Sequence, residues 1–240
     1  MKIGLIGYGK MGKVIERIAL ERGHTIAFKA NSSAPFTDLT QTDADVAIEF
    51  TQPELAETHM KHALELNLPI VVGTTGWYDQ LPEIETLVKS SNGSLLHASN
   101  FSIGVNIFFK MNEILAKIMS NQPEYKAELE EIHHVQKLDA PSGTAISIAQ
   151  GIIKNHDSYS TWNSSLNEKA AVETGSLPIT AVREPEVPGT HTVTYNSAID
   201  LISMSHIAHN RDGFALGSVL SAEFLFNKKG IYTMNDVLSL

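Results

Sequence analysis

Apolar residues form a short run in "KIGLIG" (2–7), then recur at Val14, Ile15, Ile18 and Ala19 between Lys13 and Arg22. The first pattern is that of a strand and the second that of a helix. Gly23 stands where a glycine ends a helix, and "HTIAFKA" (24–30) supplies a second strand. "DADVAIEF" (43–50) reads as a third strand, and the link before it is too short for a full crossover helix. "TQPELAETHMKHALELN" (51–67) follows as a helix. Thr51 is its expected cap and Pro53 suits its first turn; Leu55, His59, His62 and Leu66 recur on its faces. "PIVVGTTGW" (69–77) and "SLLHASNFS" (94–102) are the fourth and fifth strands.

The texture changes after Phe101. "VNIFFKMNEILAKIM" is helical, and "YKAELEEIHHVQ" (125–136) alternates as a strand does, with Ala127 and Leu129 inward. A helix starts near Gly143, and residues 155–176 are polar and rich in Ser and Asn. "LPITAVREPEVPGTHTVTYNS" and "DLISMSHIAHN" read as further strands around a turn at 185–189. "GFALGSVLSAEFLFN" predicts an amphipathic helix that returns to the first domain, and "GIYTMNDVL" follows it. The expected class is α/β: an N-terminal Rossmann-type doubly wound parallel sheet, with a second α+β domain built on a mixed, largely antiparallel sheet. Residues 1–102 plus 210–240 would form a dinucleotide-binding domain, and 103–209 a substrate-binding domain.

"GYGKMG" completes a G-x-G-x-x-G between the first strand and helix. Gly7 permits the tight turn, Gly9 lets a pyrophosphate approach the backbone, and Gly12 lets helix and strand pack closely. Tyr8, Lys10 and Met11 fill the loop, whose helix start faces a diphosphate. Such sheets bind ligands beyond the carboxyl ends of their strands. Gly73, Thr74 and Thr75 stand after the fourth strand, and Ala98, Ser99, Asn100 and Phe101 after the fifth. The second strand ends in "FKANSS", without the carboxylate that holds the ribose of NAD; Lys29 lies there instead. NADPH or NADH is the expected cofactor.

The net charge of -9 and pI of about 5.5 give no basic surface for nucleic acid. No cysteine is present, so disulfides and thiolate metal sites are excluded. No apolar run reaches the roughly 20 residues of a membrane helix, and the first residues lack the basic and apolar regions of a secretory leader. A cytoplasmic protein is expected. His59 and His62 have the spacing of a metal pair on a helix, but no third ligand accompanies them, so no metal site is expected.

"EIHHVQKLDAPSGTA" (131–145) gathers titratable groups beside a helix start. In an extended strand His133 and His134 face opposite sides, while His133 and Lys137 share parity and could flank one site. Gly143 leaves its backbone open, Thr144 adds a hydroxyl, and the first N–H groups of that helix form an anion site. A lysine there can hold a carboxylate, and a histidine can donate a proton. The arrangement suits a small acidic molecule that is to be protonated.

This stretch resembles the signature of the dihydrodipicolinate reductase family, and "GYGKMG", "VVGTTG", "ASNFSIGVN" and "NRDGFALGSVLSAEFL" extend the resemblance along nearly the whole chain. The resemblance implies NAD(P)H-dependent reduction of 4-hydroxy-tetrahydrodipicolinate, a small dicarboxylate, in the diaminopimelate route to lysine. It implies a homotetramer paired through the sheet of the second domain. By position, His133 would be the acid–base histidine and Lys137 the proton donor; His134, Gly143 and Thr144 would bind substrate. The chain departs from the family at Arg183-Glu184-Pro185 followed by Gly189-Thr190-His191, where Arg-Gly-Gly often precedes Gly-x-His. A different NAD(P)-dependent reductase, or a non-catalytic sensor of the NADH/NAD ratio, would share the first domain but has no use for the histidine–lysine signature.

Overall fold

The computed structural model describes residues Met1 to Leu240. Its early apolar runs become β1 (Lys2–Ile6), β2 (Thr25–Ala30), β3 (Val46–Glu49), β4 (Ile70–Val72) and β5 (Ser94–His97). These pair in parallel, in the order β2, β1, β3, β4, β5. A sixth strand, Gly230–Tyr232, adds beyond β5. Every residue of β3 and β4 is buried, as befits a parallel sheet covered on both faces. Neighbouring residues divide between the two faces with the period of a strand. Leu5, Ile48, Val71 and Leu96 share one core cluster with α1 (Lys10–Glu21), which covers β1 and β2, and with the helix Asp212–Leu225, which covers β3, β4 and β5. Ile6, Ala47, Ile70, Val72 and Leu95 pack against α2 (Pro53–Glu65) and α3 (Leu81–Ser90).

Local details differ from the sequence reading. Helix α1 begins at Lys10, inside the glycine motif, because its first turn needs no apolar face. Thr51 does not cap α2: its hydroxyl donates to Glu49, and Gln52 stands at the cap without a side-chain bond. The buried face of α2 is Ala56, His59, Met60 and Ala63, while Leu55 is exposed. The short link after β2 holds only one 3-10 turn, Phe36–Asp38.

Residues Met1–Ile103 and Arg211–Leu240 form one unit, and Gly104–Asn210 a second. The second is built on β6 (Lys126–His133), β7 (Thr161–Leu166), β8 (Ser176–Arg183), β9 (Thr190–Asn196) and β10 (Leu201–Ile207), in the order β10, β9, β6, β8, β7. β9 runs antiparallel to both β10 and β6, whereas β6 and β8, and β8 and β7, are parallel. The sheet is therefore mixed, with equal numbers of each pairing. The helix Gly143–Asn155 lies in the connection between β6 and its parallel neighbour β8, while β7 and β8 are joined by residues 167–175 without a helix. β7 itself lies in the polar stretch after α5 (Gly143–Asn155) and was not expected. It is an edge strand with much of its length exposed, so it carries no alternating apolar signal. One face of this sheet, with Ala127, Leu129, Ile179, Val193 and Tyr195, packs on α4 (Ile103–Met119) and α5.

The return helix, α6 (Asp212–Leu225), is not amphipathic. None of its residues is fully exposed, and Ala215, Gly217, Ser218, Val219, Ser221, Ala222 and Leu225 are buried. Ser218 and Ser221 tolerate burial by donating to Ala215 O and Gly217 O, each at 2.8 Å. A side chain at Gly217 would meet the Phe101 carbonyl oxygen at 1.7 Å, so the helix lies directly on that backbone. β11 (Gly230–Tyr232) and α7 (Met234–Leu238) complete the first unit.

Candidate active site

In the first unit the carboxyl ends of the parallel strands lie along one edge. Phe50 N donates to Ile6 O at 2.8 Å, Gly73 N to Glu49 O at 2.8 Å and Ala98 N to Val72 O at 3.4 Å. The loops after β1, β3, β4 and β5 are thus laced together by backbone bonds. The order of the strands reverses direction at β1, which makes this edge a topological switch point.

The three glycines of the loop serve different ends. Gly7 has φ +93, and a Cβ there would lie 2.1 Å from the Phe50 carbonyl oxygen. A Cβ at Gly12 would lie 2.3 Å from the Gly7 carbonyl oxygen, so helix and loop touch. Around Gly9 a Cβ meets nothing within 4 Å, so the backbone faces open space. The first turn of α1, with Lys10 and Met11, holds no acidic residue. Its N–H groups therefore face that space with their positive dipole end unopposed.

Tyr8 and Lys29 meet over the loop. The Lys29 ammonium lies 2.5 Å from a Glu16 carboxylate oxygen and 4.7 Å from the centre of the Tyr8 ring, and it donates to the Tyr8 hydroxyl at 3.3 Å. Tyr8 also donates to Glu16. Lys29 is thus engaged by a carboxylate from α1. Sequence reasoning missed Glu16 because it is distant from β2 along the chain.

The loop after β4 is fixed by Thr74, whose hydroxyl accepts from Thr51 N at 2.7 Å and whose carbonyl accepts from the Trp77 indole at 2.7 Å. A Cβ at Gly73 would run into the Phe50 ring; Thr75 is exposed. After β5, Ala98 is half-buried and Ser99 exposed, Asn100 accepts from Ser102 N at 2.8 Å, and Phe101 is buried against Phe50. His59 and His62 do not converge. His59 lies 3.4 Å from buried Glu49, and His62 bonds the Leu39 carbonyl at 2.8 Å.

The second unit holds the signature segment. Strand β6 ends at His133, and residues 134–137 form a turn closed by Lys137 N donating to His134 O at 3.0 Å. Strand parity therefore does not relate His133 to Lys137; a turn does. Lys137 pairs with Asp139 at 2.8 Å. Ser142 caps α5, accepting from Ala145 N at 3.1 Å. Gly143 is exposed with open space where a side chain would stand, and Thr144 follows half-buried in the first turn.

His133 is 7% exposed. Burial pushes its pKa down to about 4, against the pull of Glu131, so the imidazole is neutral at pH 7. Its Nδ1 lies 3.4 Å from Glu131 Oε2. Glu131 has no exposed surface. Burial raises its pKa, but hydrogen bonds from His191 and Ser142 and the nearby His133 outweigh that and hold it at about 2. Ser142 N donates to both carboxylate oxygens, at 3.0 and 3.1 Å. His191 Nε2 lies 3.7 Å from Glu131 and 3.2 Å from the Ser142 hydroxyl. Arg183 Nη2 reaches Glu131 Oε1 at 3.4 Å.

Ligand atoms of Glu131, His133 and His191 lie within 4.8 Å of one another. Arg183 stands against the other oxygen of the same carboxylate, Oε1, while both histidines face Oε2. Sequence reasoning gave no role to Glu131, Arg183 or His191. A partial signal existed: Glu131 is two residues before His133 on one strand and so shares its face.

Family models described as "Dihydrodipicolinate reductase, N-terminus" and "Dihydrodipicolinate reductase, C-terminus" match residues 1–101 and 104–238. A 4-hydroxy-tetrahydrodipicolinate reductase of Christiangramia forsetii is 46% identical, over 100% of this chain and 98% of its own. One from Rickettsia rickettsii is 32% identical over 100% of both. The solved dipicolinate-bound dihydrodipicolinate reductase of Paenisporosarcina sp. TG-14 superposes with a TM-score of 0.79 at 25% identity, covering 97% of each chain. A probable dehydrogenase of Thermotoga maritima shares the fold at 8% identity and a TM-score of 0.56, covering 99% of this chain and 92% of its own.

Proposed function

The chain belongs to the dihydrodipicolinate reductase family, and we infer from this that it reduces 4-hydroxy-tetrahydrodipicolinate with a nicotinamide cofactor, in the diaminopimelate route to lysine. One observation of the structure carries the reading to particular residues. A buried neutral histidine and a lysine lie at the two ends of one turn, followed closely by the start of α5.

Residues 1–102 plus 210–240 are the cofactor-binding part, and 103–209 the substrate-binding and oligomerisation part. Gly7, Tyr8, Gly9, Lys10, Met11 and Gly12 cradle the diphosphate. The loops at Gly73–Thr75 and 98–101 lie along the same edge and suit the nicotinamide end. A bound NADPH or NADH supplies the hydride. Both cofactors are accepted: no carboxylate ends β2 to demand a free ribose 2′-hydroxyl, and Lys29, already paired with Glu16, gives only modest support to a phosphate.

Gly143 and Thr144 donate to one substrate carboxylate at the start of α5, and His134 adds a further substrate contact. As the conjugated ring gains a hydride, negative charge develops on the adjoining carbon and nitrogen. Lys137 carries a proton and a charge to that position. His133, held neutral by burial, accepts and returns a proton rather than supplying the first one. The 4-hydroxyl leaves as water to give the conjugated ring, so each turnover takes one hydride from the cofactor and one proton from the protein and releases one water.

The open face of the second unit's sheet carries Leu201 and Ile207 on β10, both exposed. These support pairing with further copies, as a homotetramer, in the cytoplasm. No helix is long and apolar enough to cross a membrane.

The test is a steady-state assay of the purified protein on the cyclic substrate with each reduced cofactor, together with sedimentation to count subunits. Turnover with both cofactors is expected. A preference for NADH above about a hundredfold, near 2.7 kcal/mol, contradicts the dual-cofactor reading. No turnover with either cofactor contradicts the activity.

A further inference from the structure

Arg183 is the most heavily engaged buried cation of the second unit, and nothing in the reaction calls on it directly. Its side chain is 7% exposed. Nε donates to Lys137 O at 3.3 Å, Nη2 to Asp139 O at 2.6 Å, and Nη1 to Val182 O at 2.9 Å. Nη2 also reaches Glu131 Oε1 at 3.4 Å. The guanidinium thus binds the backbone of the turn that carries Lys137 at two points. It ties that turn to the carboxylate standing against His133.

Glu131 extends the same connection in the other direction. It accepts from Ser142 N, the cap of the helix whose first residues are Gly143 and Thr144. One buried ion pair therefore touches all three parts of the site: the strand end with His133, the turn with Lys137 and the substrate-binding helix start. A further backbone bond, from Glu184 N to His133 O at 2.9 Å, closes β8 onto the same point.

We propose that Arg183 and Glu131 form a positioning pair that sets the distance between Lys137 and His133. Both act through the groups they hold rather than on the substrate. Arg183 is chosen over lysine for this place because a planar fork can hold two carbonyls and a carboxylate at once, while an ammonium is a point charge on a flexible stem. Geometry of this kind is where small displacements weigh heavily on rate, since a shift of about 1 Å in a reacting group can cost roughly 10²-fold. The inference rests on the catalytic roles proposed for Lys137 and His133.

The experiment is a double-mutant cycle with Arg183→Lys and Lys137→Ala. Arg183→Lys keeps the cation against Glu131 but cannot hold both Lys137 O and Asp139 O. Alone it should lower kcat by roughly 10²-fold, with unchanged affinity for NADPH measured by fluorescence titration. In the Lys137→Ala background it should add less than about threefold, because the group it places is already gone. A parallel cycle uses Glu131→Gln, which keeps an acceptor for Ser142 N, with His133→Ala; the same non-additivity is expected.

A merely structural ion pair gives losses that multiply in both cycles, and that result overturns the proposal. Near-native turnover of both Arg183→Lys and Glu131→Gln overturns it as well. If Arg183→Lys does not fold, the Glu131→Gln cycle decides alone. If Lys137→Ala and His133→Ala themselves keep native turnover, the catalytic reading of the segment fails first, and that outcome is visible before any coupling is computed.

Discussion

The candidate sites of the two units are made of different material. In the first unit the candidate cofactor edge is backbone: glycines, helix N–H groups and inter-strand bonds, with side chains in supporting roles. In the second unit the candidate reaction centre is side chains, and buried ones: a carboxylate, a guanidinium and two histidines packed on one another. A backbone site binds a constant chemical group and needs shape. A side-chain site moves protons and needs charge where water is scarce, so it carries the desolvation cost that goes with it.

Substituting the reacting groups separates the halves most sharply. His133→Ala should lower turnover by roughly 10²–10⁴-fold and spare cofactor affinity. Lys137→Ala should lower turnover steeply and also weaken substrate binding. His134→Ala should raise the substrate KM more than it lowers kcat, as expected of a group used equally in ground and transition states. Steady-state kinetics, with NAD(P)H affinity measured separately, reads all three. Native turnover in folded Lys137→Ala and His133→Ala places the chemistry elsewhere.

Acid should act on the second half next. His133 has a folded pKa near 4, below its unfolded value near 6.5. The unfolded chain therefore binds the extra proton first. Stability from this group is complete above pH 6.5 and declines as pH falls towards 4, by about 3 kcal/mol at 1.36 kcal/mol per pKa unit. Burial lowers His156 and His206 of the same unit in the same direction, and His97 of the first unit as well. Glu131, held near 2, adds its own loss only below pH 4.5, its unfolded value. Melting temperature against pH should fall between 6.5 and 4, and less steeply in a folded His133→Gln variant. An equal slope in that variant would remove His133 as the cause.

The glycines offer a test confined to the first half. Gly7→Ala imposes both a left-handed φ and a 2.1 Å contact with Phe50 O, and should cost about 1–3 kcal/mol of stability. Gly9→Ala meets nothing, so its stability should stay within about 0.5 kcal/mol of native while NADPH affinity falls. Equal stability losses at both positions would contradict this division of roles. The smallest effect is expected at Lys29. Because Glu16 already engages it, Lys29→Ala should weaken NADPH binding by less than about tenfold, or 1.4 kcal/mol, and leave NADH binding unchanged.

The same contrast explains what could be read from the sequence. The glycine motif, its strand and its helix lie within one short span, and local spacing specifies them. Thr51 was misread as a cap because sequence shows the hydroxyl but not Glu49 beside it in space. β7 was missed because an exposed edge strand of Thr, Asn and Ser has no alternation to detect. Glu131, Arg183 and His191 come from β6, β8 and β9, and only the mixed pairing of those strands brings them together. Even the relation of His133 to Lys137 was inferred through strand parity, and a turn provides it instead.

The order of the chain within the first unit has a consequence for synthesis. That unit is completed only by Arg211–Leu240, after the whole of the second unit has been made. During translation the second unit, although later in the chain, is the first to have all its residues. Meanwhile Leu5, Ile15, Leu96 and Phe101 wait with one face unfilled until Ala215, Val219 and Leu225 emerge. A ribosome that stalls near residue 210 leaves behind an uncovered apolar sheet face and an unpaired β5 edge, the surface that recruits chaperones or aggregates.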